Sequence, residues 1–140
     1  MAKTVLTNAY FEWNSVDLSA FVRSVEQAVI NIEDVDGTTM GTNGVREFLA
    51  GLQTFDWSIR FANDMAASAP NITLFADAIA GTARAVELRQ DAGATAATNP
   101  AFQTNMRCLQ LPLIAGEVGA LDEVTYIFRS TGTAMTRATT

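Results

Sequence analysis

Residues 54–61 alternate without a break: Phe55, Trp57, Ile59 and Phe61 fall on one side, Thr54, Asp56, Ser58 and Arg60 on the other. Side chains leave a strand on opposite faces with a period of two, so this is a half-buried strand carrying much of the core's aromatic mass. Residues 36–52, just before it, read as a long connection containing Gly37, Gly41, Gly44 and Gly51. The same connection carries Met40, Val45, Phe48 and Leu49. A connection of this length inside a compact domain is usually functional or disordered, and a disordered one has little use for Phe48 and Leu49. The expectation is a loop over residues 38–51 that is mobile in the free subunit and buries its apolar residues against another copy. Its candidate inter-subunit positions are Thr38, Met40, Gly41, Gly44, Val45, Arg46, Phe48, Leu49 and Gly51.

The totals narrow the function. The 140 residues suit one domain, residues 1–140, with a true hydrophobic core. With 49% hydrophobic and 17% charged residues, the chain is not intrinsically disordered. A net charge of −6 argues against a basic grip on nucleic acid, which needs Lys and Arg to replace phosphate counterions. An acidic surface still permits DNA to slide past. No apolar run approaches the roughly 18 residues of a membrane helix. The first eight residues lack a signal-peptide apolar segment, so the expectation is a protein that stays in the cytoplasm where it is made.

The catalytic inventory is nearly empty. With no histidine, Ser-His-Asp and Cys-His systems and His-ligated metals are absent. Lys3 is the only lysine and sits at a frayed end. Cys108 is the only cysteine and is expected as a small buried core residue. Asp34-Val35-Asp36-Gly37 resembles the start of a calcium loop, but Gly37 comes too early and the later carboxylates are missing. Asp122-Glu123 reads as a solvated pair. No cofactor, no metal and no enzymatic activity are expected.

Taken in order, residues 9–13 read as a strand, Asn14-Ser15 as a turn, and residues 16–19 as the start of a return strand. Residues 22–36 are a β-branched extended run with a possible bulge at 28–30. Residues 71–80 form the best helix, with Pro70 at its entry, Gly81 as C-cap, and Ile72, Phe75, Ala76 and Ile79 as its apolar stripe. Further strands are expected at 82–90, at 103–113 ending by Pro112, and at 122–129. Residues 91–102 and 114–121 read as connections, and residues 130–140 as an extended or loose tail. About six to eight antiparallel strands with one flanking helix make a mainly β fold, a β-sandwich or barrel.

Several short stretches, in this order and spacing, resemble the small major tail tube proteins of long-tailed, siphovirus-like bacteriophages. They are Val16-Asp17-Leu18-Ser19, Val35-Asp36-Gly37-Thr38 leading to Gly41, Arg46-Glu47-Phe48 and Gly51-Leu52. The likeness continues in Asp64-Met65-Ala66, Leu74-Phe75, Thr98-Asn99-Pro100, residues 112–119 and Thr136-Arg137-Ala138-Thr139. The resemblance implies the phage tail tube fold and a virion protein. It implies hexameric rings that stack into a tube through which double-stranded DNA is ejected, without specific binding. Its implied partners are itself and other tail and head-completion proteins, with no membrane; the long loop reaches a neighbouring subunit. Some such proteins carry an additional decorating domain, and none is expected here. The alternative is a capsid decoration protein or a head–tail connector ring protein.

Overall fold

The computed structural model describes residues 5–140; Met1, Ala2, Lys3 and Thr4, and the expectations resting on them, lie outside the described residues. The strands are β1 (Tyr10–Trp13), β2 (Val16–Asp17), β3 (Val22–Asp36), β4 (Phe48–Ala62), β5 (Arg84–Arg89), β6 (Ala101–Gln110), β7 (Glu123–Ser130) and β8 (Thr136–Ala138), with helix α1 (Pro70–Ala80) between β4 and β5. They form one antiparallel sheet in the order β2-β1-β5-β6-β7-β4-β3, with β8 alongside the start of β6. The mainly β fold with one helix is as the residue pattern led us to expect.

The sheet curls until its two halves face each other. Strands β5 and β6 separate β1 from β7 in the sheet, yet the ring of Phe11 in β1 lies 5.4 Å from Phe128 in β7 and 5.5 Å from Phe61 in β4. Trp13 lies 5.4 Å from Phe128 in the same way. These tilted and edge-on ring pairs suit the aromatic quadrupole. Phe55, Trp57, Ile59 and Phe61 all point into this core, as their alternation predicts, and Cys108 is buried with them.

Helix α1 departs from expectation in its orientation. Pro70, Asn71 and Leu74 are its buried residues and Ala78 packs on the core, whereas Ile72, Phe75 and Ile79 are exposed. Two stripes competed, and polar partners decided between them. Asp77 accepts a hydrogen bond from Trp13 of β1 and is ion-paired to Arg84 of β5, while Asn71 Nδ2 donates to the Pro112 carbonyl. Gly81 caps the helix at φ 66°, as expected of the αL position.

The remaining differences concern pairing. The run at 28–30 is regular, with Ala28 opposite Trp57 and Ile30 opposite Phe55; the register shifts lie at Val22/Ser24, Val25/Gln27 and Ile32/Asp34. Strand β6 begins at Ala101, within the expected connection, because Phe102 and Gln103 pair with both β5 and β8. The Thr-rich tail is therefore not wholly loose: Thr136–Ala138 is a strand.

Candidate assembly surface

The longest feature is the β3–β4 hairpin, whose strands have fifteen residues each. A strand of that length spans about 50 Å. Only its base belongs to the body, because β7 pairs with β4 from Asp56 to Ala62 alone. Among the described residues, β4 pairs from Phe48 to Thr54 with β3 alone, and β3 is a sheet edge. The hairpin thus continues past the core as a two-stranded arm with open backbone groups on its edge.

The end of the expected long loop belongs to this arm. Phe48, Leu49 and Gly51 are strand residues, with Phe48 opposite Asp36 and Leu49 opposite Val35. The connection itself shrinks to residues 37–47, and it has internal structure. Gly37 N–H donates to the Glu47 carbonyl at 2.9 Å, and Glu47 N–H donates to Thr38 Oγ1 at 2.9 Å. Met40–Thr42 make a single 3-10 turn, closed by a hydrogen bond from Thr42 N–H to the Thr39 carbonyl. Asn43 and Gly44 then turn the chain at positive φ, 51° and 76°. Hydrogen bonds from the side chain and backbone N–H of Thr38 hold the Asp36 carboxyl below its ordinary range.

Gly51 supplies a close approach, not loop freedom. Ile32 lies opposite Gln53 but Asp34 opposite Ala50, so β4 carries an extra residue there and bulges. A Cβ at Gly51 would stand 2.8 Å from Val35 Cγ2 and 3.1 Å from the Glu33 carbonyl oxygen. Leu49 likewise lies over Gly37.

Among the described residues, the arm's apolar side chains are left largely uncovered. Met40, Val45 and Leu52 are 102%, 68% and 80% exposed, and Phe48 and Leu49 remain 56% and 50% exposed. Ile30, Ile32 and Val35 on β3 are exposed as well. Thr38, Gly41, Gly44 and Arg46 are solvent-facing around them. The structure therefore brings the candidate positions together at one end of one arm. The body beneath is polar on its outer face, with ion pairs from Arg60 to Glu26 at 2.6 Å, Arg23 to Glu123 at 3.1 Å and Arg129 to Asp56 at 2.8 Å.

A second apolar surface escaped the sequence reading. The outward stripe of α1 meets the end of β6 in a groove of about 400 Å³ lined by Phe75, Ala78, Ile79, Leu109, Leu111 and Leu113. The signal was present: Ile72, Phe75 and Ile79 do share a helix face, but that face looks outward.

The described residues offer no group of three or more His, Cys, Asp or Glu side chains placed to hold a metal ion. Burial pushes the Cys108 thiol up to about 11 and the Tyr126 hydroxyl up to about 12, which leaves both protonated at neutral pH.

The chain is thus a curled antiparallel sheet with one flanking helix and a projecting apolar hairpin. Solved structures share this fold. A chain of the virion of a native gene transfer agent particle matches over 94% of this chain and 95% of its own, at a TM-score of 0.71 and 17% identity. A chain from the tail of an empty gene transfer agent particle, refined with C6 symmetry, matches over 84% of this chain and 82% of its own, at 0.63 and 20%. A chain of the six-fold symmetrised anti-feeding prophage baseplate covers 97% of each at 0.57 and 16%. Identities this low carry the fold alone. No protein-family model and no curated protein matches the sequence.

Proposed function

We propose that this chain is a non-enzymatic structural subunit of a phage-like tail, a tail tube protein whose 140 residues act as one domain. Its copies join into six-membered rings that stack around a conduit for double-stranded DNA. The observation that carries this reading is the β3–β4 arm: an unpaired edge and a cluster of exposed apolar side chains on a fold shared with gene transfer agent tail and virion chains. An open edge of that length is a pairing template that a lone monomer has to protect. A heterologous contact between arm and body repeats identically around a ring, and closes when the rotation closes.

In this mechanism Phe48, Leu49, Val45 and Met40 are the contact residues, and Thr38, Gly41, Gly44, Arg46 and Gly51 shape and flank the tip. The arm's strands are already formed in the free subunit, so ordering on assembly is confined to residues 38–47. The acidic balance suits passage of DNA without capture, and other tail and head-completion proteins cap the ends of the tube.

Negative-stain electron microscopy of the purified protein tests the reading. Tubes or stacked six-fold rings are expected. Particles that stay monomeric at every concentration and salt overturn it, and single rings that never stack favour a head–tail connector.

A further inference from the structure

The tip of the arm carries the sequence's one Asn-Gly pair, Asn43-Gly44. We infer that this pair is a self-modification site: Asn43 loses its side-chain amide spontaneously, at a rate set by opening of the turn that holds it. The backbone nitrogen of Gly44 attacks Asn43 Cγ, a C–N bond forms, the Cγ–NH2 bond breaks, and ammonia leaves with the proton from the Gly44 nitrogen. The result is a five-membered succinimide. Water then adds to either ring carbonyl and reopens it, giving aspartate or isoaspartate. Nothing is oxidised or reduced, and the only co-reactant is water.

Three observations converge on this pair. Asn43 is exposed, and its side chain makes no hydrogen bond among the described residues. Gly44 has no Cβ to hinder the approach, and even the Cβ position there has no atom within 4 Å. The reacting atoms are neighbours in one chain, so closure needs only a backbone rotation. The folded turn holds them apart. Asn43 has φ 51° and ψ 39°, which points the Gly44 nitrogen almost opposite to the Asn43 Cβ. Closure therefore waits for ψ to swing round, which breaks the turn. The hydrogen bonds of residues 38–47 are all at the surface, so this opening is local and low in cost.

The chemistry matters for the arm. Aspartate adds a negative charge to the tip. Isoaspartate routes the main chain through an extra methylene and removes the αL geometry that the turn requires. Either product alters the surface that the proposed function places in the contact; this consequence rests on that reading, while the modification itself does not.

The test is peptide mapping by mass spectrometry, with isoaspartate detection, of the full chain incubated at mildly alkaline pH. The native subunit, the same protein in denaturant, and assembled particles are compared. Native Asn43 should convert about tenfold faster than Asn14, whose following residue is Ser15. Asn43→Gln should abolish the signal at that peptide and leave the others unchanged. If denatured chain reacts at Asn43 while native subunit does not, the turn never opens enough and the inference is wrong. If native Asn43 converts no faster than Asn14, it is wrong as well. Suppression in assembled particles supports tip burial. Equal rates in free and assembled protein leave the site standing and count against burial of the tip.

Discussion

The indole N–H of Trp13 donates to the Asp77 carboxylate, Nε1 to Oδ2 at 3.1 Å, joining β1 to α1 across 64 positions of sequence. The other carboxylate oxygen accepts from Arg84 at 3.0 and 3.2 Å, so one side chain ties helix, β1 and β5 together. Trp13 is fully buried, and among the described residues Asp77 is the one acceptor of its indole N–H.

Asp77→Ala should therefore destabilise the subunit by about 1–3 kcal/mol at neutral pH, the range for stranding a buried donor. The bonds from Arg84 hold the Asp77 carboxyl below its ordinary value of 3.8, with a further contribution from Trp13. A depressed folded pKa gives stability that is present above the unfolded value and lost as pH falls through the folded one. Urea melts across pH should show the gap between wild type and variant narrowing below 3.8. A gap that stays constant there would mean that the charge is not the tie.

Trp57→Ala should cost about 3–5 kcal/mol, because it truncates a large buried side chain of the core. Asp56 points the other way and pairs with Arg129 at the surface, so Asp56→Ala should cost less than about 1 kcal/mol. Chemical denaturation of both variants checks the facing of β4; a reversed order would turn the strand inside out.

The helix orientation gives a paired contrast. Leu74→Ala should cost about 2–5 kcal/mol as a core truncation, whereas Ile79→Ser should change monomer stability by under about 0.5 kcal/mol. Thermal melts of dilute monomer decide it. If Ile79→Ser unfolds the protein and Leu74→Ala does not, the outward stripe is the real packing face.

What could be read in the chain followed from local contrast. Residues 55–61 were legible because one face of β4 is dry and the other wet, and Gly81 because only glycine suits that cap. The face of α1 was not, since Ile72, Phe75 and Ile79 form as good a stripe as Asn71, Leu74 and Ala78, and the choice rests on Trp13, far away in sequence. Gly51 looked like a loop break because its reason, the Val35 side chain across the hairpin, depends on register. Strand β8 was hidden for the same cause: its three residues in a Thr-rich tail carry no pattern, and their partner is the start of β6. The candidate assembly residues were legible as apolar side chains in a glycine-rich stretch. The arm that presents them was not, because the length of β3 and β4 past the core is a property of their pairing.

The central claim is that the apolar tip of the arm joins copies and contributes nothing essential to the subunit's own core. A buried Phe contributes roughly 1.5–3 kcal/mol, a gain repeated at every subunit of an assembly. Leu49 also covers Gly37, so Val45 and Phe48 are the cleaner pair to change. Sedimentation velocity of wild type beside the Val45→Ser, Phe48→Ser double variant, with thermal melts of each as dilute monomer, measures the claim directly. Wild type should sediment as large assemblies and the variant as monomers or single rings, with melting temperatures that coincide. A variant that assembles like wild type, or one whose monomer melts well below it, contradicts the account.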